Sequence, residues 1–210
     1  MSRRGGARGE LLRLRAPCCA ALAVLLLAVG CAGFRGDELP RRTLYGVLGG
    51  DRFPAATYQT RTESGHVGVP VGRTEATVDR VLRNAFVELE RKDAGEGLHL
   101  DVQVTSRMRQ PVFTMGLALL SIFTLGIVPA YGQQDFHLDV QVKTDGRTWK
   151  RYGYQDHIYS WMHLLVIPWS FSHDPVEIED DVVENMLVNF LFELRRDLPE
   201  LETAPGATSD

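Results

Sequence analysis

Residues 99–104 read HLDVQV, and residues 137–142 read HLDVQV again. Each copy alternates, so that Leu100, Val102 and Val104, or Leu138, Val140 and Val142, share one face while His, Asp and Gln occupy the other. Strands patterned on one side only belong to an antiparallel sheet covered by helices on one face, whereas parallel strands buried on both faces read as continuous apolar runs. The spacing predicts strands over 98–106 and 135–143. A third strand over 147–155 follows through Thr144-Asp145-Gly146, where Asp-Gly is a strong hairpin signal. Six identical letters do not establish a duplicated domain, since shared strand chemistry accounts for them equally well.

Outward from these strands the period changes to that of a helix. Val78, Val81, Leu82, Ala85, Phe86 and Leu89 fall on one stripe, with Thr74 as the expected N-cap and Gly95 and Gly97 as the expected stop. A second helix is predicted after Asp174 as cap, with Pro175 at its first position and Glu177 completing a capping box. Its buried stripe is Ile178, Val182, Val183, Met186, Leu187, Phe190, Leu191 and Leu194, and Leu198-Pro199 is expected to end it. Residues 43–72 carry only a weak strand pattern near 43–48 and otherwise read as irregular chain. Residues 31–42 read as a polar tether and residues 199–210 as a disordered tail. The fold class is therefore α+β: a small antiparallel sheet with two amphipathic helices packed on one face, within a single domain over 43–198.

Two apolar stretches interrupt this pattern. Residues 111–132 (PVFTMGLALLSIFTLGIVPAYG) hold no charge, and residues 158–171 (IYSWMHLLVIPWSF) are rich in aromatics. By length the first is able to span a bilayer as an inner-membrane helix. A single span would put strands 98–106 and 135–143 on opposite sides of the membrane, so a segment that leaves and returns on one side fits the shared strand pattern better. The strand directions then place both apolar segments at one end of the sheet. They are either ordinary core, a membrane-docking surface, or a patch for a protein partner; Leu119, Ile122, Trp161 and Trp169 are the candidate contacts. Arg107, Arg109 and Gln110, just before the first segment, are candidates for lipid head groups or simply solvated strand-end residues.

The N-terminus carries its own signal. Arg3, Arg4, Arg8, Arg13 and Arg15 precede an uncharged apolar run over 16–29, the arrangement of a secretory signal peptide over 1–30. Removing those residues leaves 180 of the 210 and lowers the formal charge from −4 to −8, with no basic stripe left to neutralise phosphates. A nucleic-acid partner is excluded on that ground. Cys18 and Cys19 depart with the signal peptide, which leaves Cys31 as the only cysteine and rules out a disulfide framework or a thiolate metal site.

Chemistry-bearing motifs are scarce: there is no Gly-x-Ser-x-Gly elbow, no His-Glu-x-x-His and no Walker-type glycine loop. The one constellation is His99 with Asp101 and His137 with Asp139, each pair on one strand face. Were the pairs to converge, they would form a zinc-like site for a metal-binding protein or hydrolase; the plain alternative is a solvated polar face. His157, His163 and His173 are scattered through the aromatic segment.

Ala28-Val29-Gly30-Cys31 resembles the lipobox of bacterial lipoproteins, with Ala28 where that family usually has Leu. The resemblance implies cleavage before Cys31 and a covalent diacylglycerol plus an N-acyl chain on it, with no other cofactor. Ala32 in the next position implies the outer membrane, periplasmic face. The opening Cys31-Ala32-Gly33-Phe34-Arg35-Gly36 and the order of elements resemble small α+β periplasmic lipoproteins such as the lipopolysaccharide-assembly lipoprotein family. The stretch Thr124-Leu125-Gly126-Ile127-Val128-Pro129 is similar to uncharacterised envelope lipoproteins. These likenesses imply a non-enzymatic accessory or assembly factor, bound to the membrane through its lipid and to a protein partner in the envelope.

Overall fold

The computed structural model describes residues 31–64, 71–93, 97–109, 112–124, 128, 130–162 and 175–203. Residues 1–30, Gln110, His163, Trp169, His173, Asp174 and residues 204–210 lie outside these, as does the side chain of Ile122, so the expectations placed on them are not addressed by the fold.

The two HLDVQV copies lie in strands β4 (Leu98–Arg109) and β5 (Ala130–Thr144), which pair antiparallel. Leu100 faces Val142, Val102 faces Val140 and Val104 faces Leu138, so the apolar stripes of the repeat meet side by side, all buried. β5 turns into β6 (Arg147–Met162) through Asp145 and Gly146, whose φ values of 51° and 76° are the left-handed pair that a two-residue hairpin of this twist requires. β6 is longer than expected and absorbs the first residues of the second apolar stretch.

Three further strands complete a six-stranded sheet in the order β1-β6-β5-β4-β2-β3, with β1 at Cys31–Arg35, β2 at Ala56–Ser64 and β3 at Leu89–Arg91. The expected antiparallel sheet is thus mixed. β2 runs parallel to both β3 and β4, because helix α2 carries the chain back to the starting end of the sheet before β3 and β4 begin. β2 falls within the stretch read as irregular chain. Its inward residues are Tyr58, Thr60 and Thr62, and threonine favours strands through its branched Cβ without marking an apolar stripe.

Helix α1 (Leu44–Leu48) stands where a weak strand was expected. Local capping decides it: Thr43 Oγ1 accepts from the Gly46 N–H at 3.2 Å, and Gly49, at φ 59°, returns its N–H to the Tyr45 carbonyl. α2 spans Val71–Ala85, so Thr74 is not its cap but a buried residue of its inward stripe, beside Thr77, Val78, Val81 and Leu82. It ends at Ala85, well before Gly95, because Phe86 and Val87 are drawn to Phe53, whose ring stacks on Phe86 at 5.1 Å. α3 spans Val112–Phe123 and α4 spans Pro175–Thr203. α4 continues through Pro199 rather than stopping there, since a proline in the final turns removes one hydrogen bond while its φ remains helical.

α2 and α4 pack together on one face of the sheet. Between the layers lie Leu100, Leu138, Phe136, Leu82, Met186, Leu187, Phe190 and Leu191, all fully enclosed, each worth about 1.5–3 kcal/mol relative to exposure.

The tether reading of 31–42 is corrected. Cys31–Arg35 is an edge strand paired with Ile158–Met162 of β6, and Ala32 is completely buried. Arg35 forms an ion pair with the enclosed carboxylate of Asp156 at 3.1 Å, and the Asp156 side chain also accepts from the backbone N–H groups of Glu38 and His157. The chain then runs along α4, where Asn185 accepts from the Arg42 backbone, Asn189 accepts from the Arg42 side chain, and the Arg42 guanidinium lies 3.6 Å above the Phe192 ring. A polar composition with Gly and Pro suited a tether; long-range ion pairing holds the segment down instead.

Candidate functional site

Three chain ends converge at one end of the sheet. Cys31 opposes Met162, and Met162 opposes Ala130, so the start of β1, the end of β6 and the start of β5 lie at the same level. β4 ends close by, with Arg109 opposite Gln133. Both apolar segments therefore emerge together, as the strand directions implied. The single-span reading of 111–132 is overturned: β4 and β5 are bonded neighbours over twelve register pairs, α3 is twelve residues long, and Ala130 already belongs to a strand. No helix among the described residues is long and apolar enough to cross a membrane.

α3 packs against β5 and buries Ser121, while its other side is open. Leu119 is 54%, Leu120 47% and Phe123 82% exposed. Thr124 closes the helix, its hydroxyl donating to the Leu120 carbonyl at 2.8 Å and accepting from the Val128 N–H. Of the sequence-derived contacts, Leu119 and Trp161 (40% exposed) stand at this end. Leu120, Phe123 and Phe34 join them, and the signal for the first two was only membership of an uncharged run.

The face of the sheet turned away from the helices is organised in rungs below this end. The first rung sets Ala32, Trp161 and Tyr131 side by side; the second sets Phe34, Tyr159, Gln133 and Arg109; the third sets His157, Asp135 and Arg107; the fourth sets Gln155, His137 and Thr105. The upper rungs are aromatic, with the Tyr131 and Tyr159 rings 5.7 Å apart and stacked, and Trp161 edge-on to Tyr131 at 5.3 Å. Burial, then the neighbouring Tyr159 and Asp135, raises the Tyr131 phenol above its ordinary pKa. The lower rungs are polar and bound a cleft of about 310 Å³. Within it the Gln133 amide donates to Asp135 at 2.9 Å, and His157 Nδ1 is 3.0 Å from Glu38. Gly36 donates to the His157 carbonyl at 2.7 Å, and a Cβ at that position would overlap the imidazole, so only glycine lets the 36–38 segment lie this close.

The metal reading of the repeated pairs does not survive the register. In an antiparallel pair the two copies run in opposite directions, so His99 opposes Lys143 and His137 opposes Thr105. The histidines are then six residues apart along the sheet, roughly 20 Å. Asp101 is engaged by Lys143 at 3.2 Å. His99 is enclosed, its Nδ1 2.8 Å from the Thr57 hydroxyl, and burial followed by the charge of Lys143 lowers its pKa from the ordinary histidine value. Asp139 lies opposite Gln103, four positions along β4 from His99.

No protein-family model matches the chain, and no curated protein matches it. Among solved structures, a putative neuraminyllactose-binding hemagglutinin homolog from Helicobacter pylori is similar at a TM-score of 0.45 and 9% identity, over 72% of this chain and 88% of that one. The rare lipoprotein B from Shewanella oneidensis is similar at a TM-score of 0.35 and 11% identity, over 69% and 98%. A Xanthomonas campestris protein of family DUF330 is similar at 0.39 and 8%, over 71% and 90%. Likeness of this degree carries no inference about what the chain does.

Proposed function

We propose that the chain is a non-enzymatic lipoprotein of the bacterial envelope, anchored through acylated Cys31 and docked on the bilayer by its apolar end, where it serves as an accessory to an envelope complex. One observation carries the reading: Cys31 begins β1 at the same end of the sheet where α3 exposes Leu119, Leu120 and Phe123. Because β1 starts at the cysteine itself, the acyl chains leave the domain without an intervening tether. The lipid then holds α3 at the membrane surface, where an apolar helix face inserts about 5–10 Å into the headgroup and acyl boundary. Trp161, Tyr131 and Tyr159 follow at the depth that tryptophan and tyrosine favour. The outer-membrane, periplasmic placement rests on the lipobox resemblance and on Ala32. In this orientation the helix layer and the outer sheet face both stand out from the membrane, open to a protein partner.

The anchor is tested by Cys31→Ser. Radiolabelled palmitate incorporation is expected to vanish, with the protein either uncleaved or released in soluble form. Undiminished labelling of that variant would end the lipoprotein reading.

A further inference from the structure

The polar cleft on the outer sheet face has no part in anchoring, yet its side chains are arranged as for a ligand. Arg109, His137 and Gln155 each border it, and their side chains make no hydrogen bond or ion pair with another described residue. They stand on two rungs of three adjacent strands, Arg109 on the second and His137 beside Gln155 on the fourth, a rigid platform rather than a loop. Gln133 and Asp135 supply an amide and a carboxylate between them, already hydrogen-bonded to each other and so fixed in orientation.

The charges around the cleft nearly cancel. Arg107 and Arg109 are opposed by Asp135 and Glu38, while Asp156 beneath is consumed by Arg35. A phosphate would face two carboxylates, and a cationic amine two guanidinium groups, so neither gains a net attraction. What remains is a dense set of planar donors and acceptors beside the stacked Tyr131 and Tyr159, the second of which touches His157 edge-on at 4.5 Å. Amides, carboxylates and guanidinium groups pair with vicinal hydroxyls. A cleft of about 310 Å³ is at the small end of ligand sites, suited to one or two sugar rings.

We propose that this cleft binds a neutral saccharide, its hydroxyls held by Arg109, Asp135, His137 and Gln155. The site does not depend on the membrane-docking reading, and its test reads sugar binding alone. The probes are maltose, cellobiose, lactose and N,N′-diacetylchitobiose, with glycerol 3-phosphate as the anionic comparator. Saturation-transfer NMR and calorimetry are carried out on the full acylated chain in a detergent without a sugar head group. At least one disaccharide is expected to bind with a Kd on the order of 1 mM or tighter. Gln155→Ala and Arg109→Ala, both at exposed positions, are each expected to weaken it about tenfold while leaving the melting temperature unchanged. The proposal is overturned by the absence of binding to all four disaccharides, by binding that both substitutions leave intact, or by glycerol 3-phosphate binding more tightly than every neutral sugar.

Discussion

Asp156→Ala is expected to cost about 3–5 kcal/mol of stability in urea unfolding, a large part of a domain total of about 5–15 kcal/mol. The Asp156 side chain is wholly enclosed and Arg35 is 10% exposed, so the substitution strands a buried guanidinium without a counter-charge. It also removes the acceptor for the backbone N–H groups of Glu38 and His157. The loss is expected to be concentrated in β1, and amide exchange over residues 31–36 should accelerate more than exchange in β4 or β5. Replacing both partners, Arg35→Met with Asp156→Leu, is expected to recover much of the stability, since an apolar pair of similar volume avoids the desolvation of two ions. A cost below about 1 kcal/mol for Asp156→Ala would mean that β1 is not held by this pair, and the short link between lipid and sheet would lose its support.

The second large effect concerns α3. In an acyl-free mature chain carrying Cys31→Ser, the triple substitution Leu119→Ser, Leu120→Ser, Phe123→Ser is expected to lower affinity for phosphatidylcholine vesicles by roughly 100-fold or more, because each side chain withdrawn from the bilayer forfeits on the order of 1–3 kcal/mol. These residues are between about half and four-fifths exposed, so the melting temperature should barely move. Core residues would behave in the opposite way, each truncation costing about 2–5 kcal/mol with vesicle binding unaffected. That reversed pattern would return α3 to the interior of the protein and remove the docking surface.

The elements legible in the sequence are those whose side-chain period is long and unbroken. β4, β5 and the buried stripe of α4 declare themselves through Leu100 to Val104, Leu138 to Val142 and Ile178 to Leu194, and the Asp145-Gly146 turn follows from backbone sterics at two positions. β2 does not, because threonines at 60 and 62 occupy its inward face, and apolar periodicity takes no account of them. β1 is five residues of mixed character, and it is a strand through its pairing with Ile158–Met162 of β6, reinforced by the ion pair of Arg35 with Asp156, 121 residues away. The convergence of Cys31 with the apolar end was partly legible, since strand directions placed both apolar segments together. Its missing half was the pairing of β1 with β6. The outer cleft was not legible at all, because Arg109, Asp135 and Gln155 become neighbours only through register, and period-two polar residues look alike whether solvated or convergent.

In the proposed orientation the lipid and α3 meet the bilayer together, with the strands rising away from it. Phe123 stands at that end, and Arg147, exposed beside the hairpin turn, stands at the other, separated by the length of β5, roughly 45 Å. In the acylated protein Cys31 is occupied, so a cysteine introduced at Phe123 or at Arg147 is unique and takes a fluorescent label. Brominated lipids in reconstituted vesicles should quench the label at Phe123→Cys strongly and leave the label at Arg147→Cys untouched. Equal quenching at both positions, or quenching confined to Arg147→Cys, would contradict docking by the apolar end.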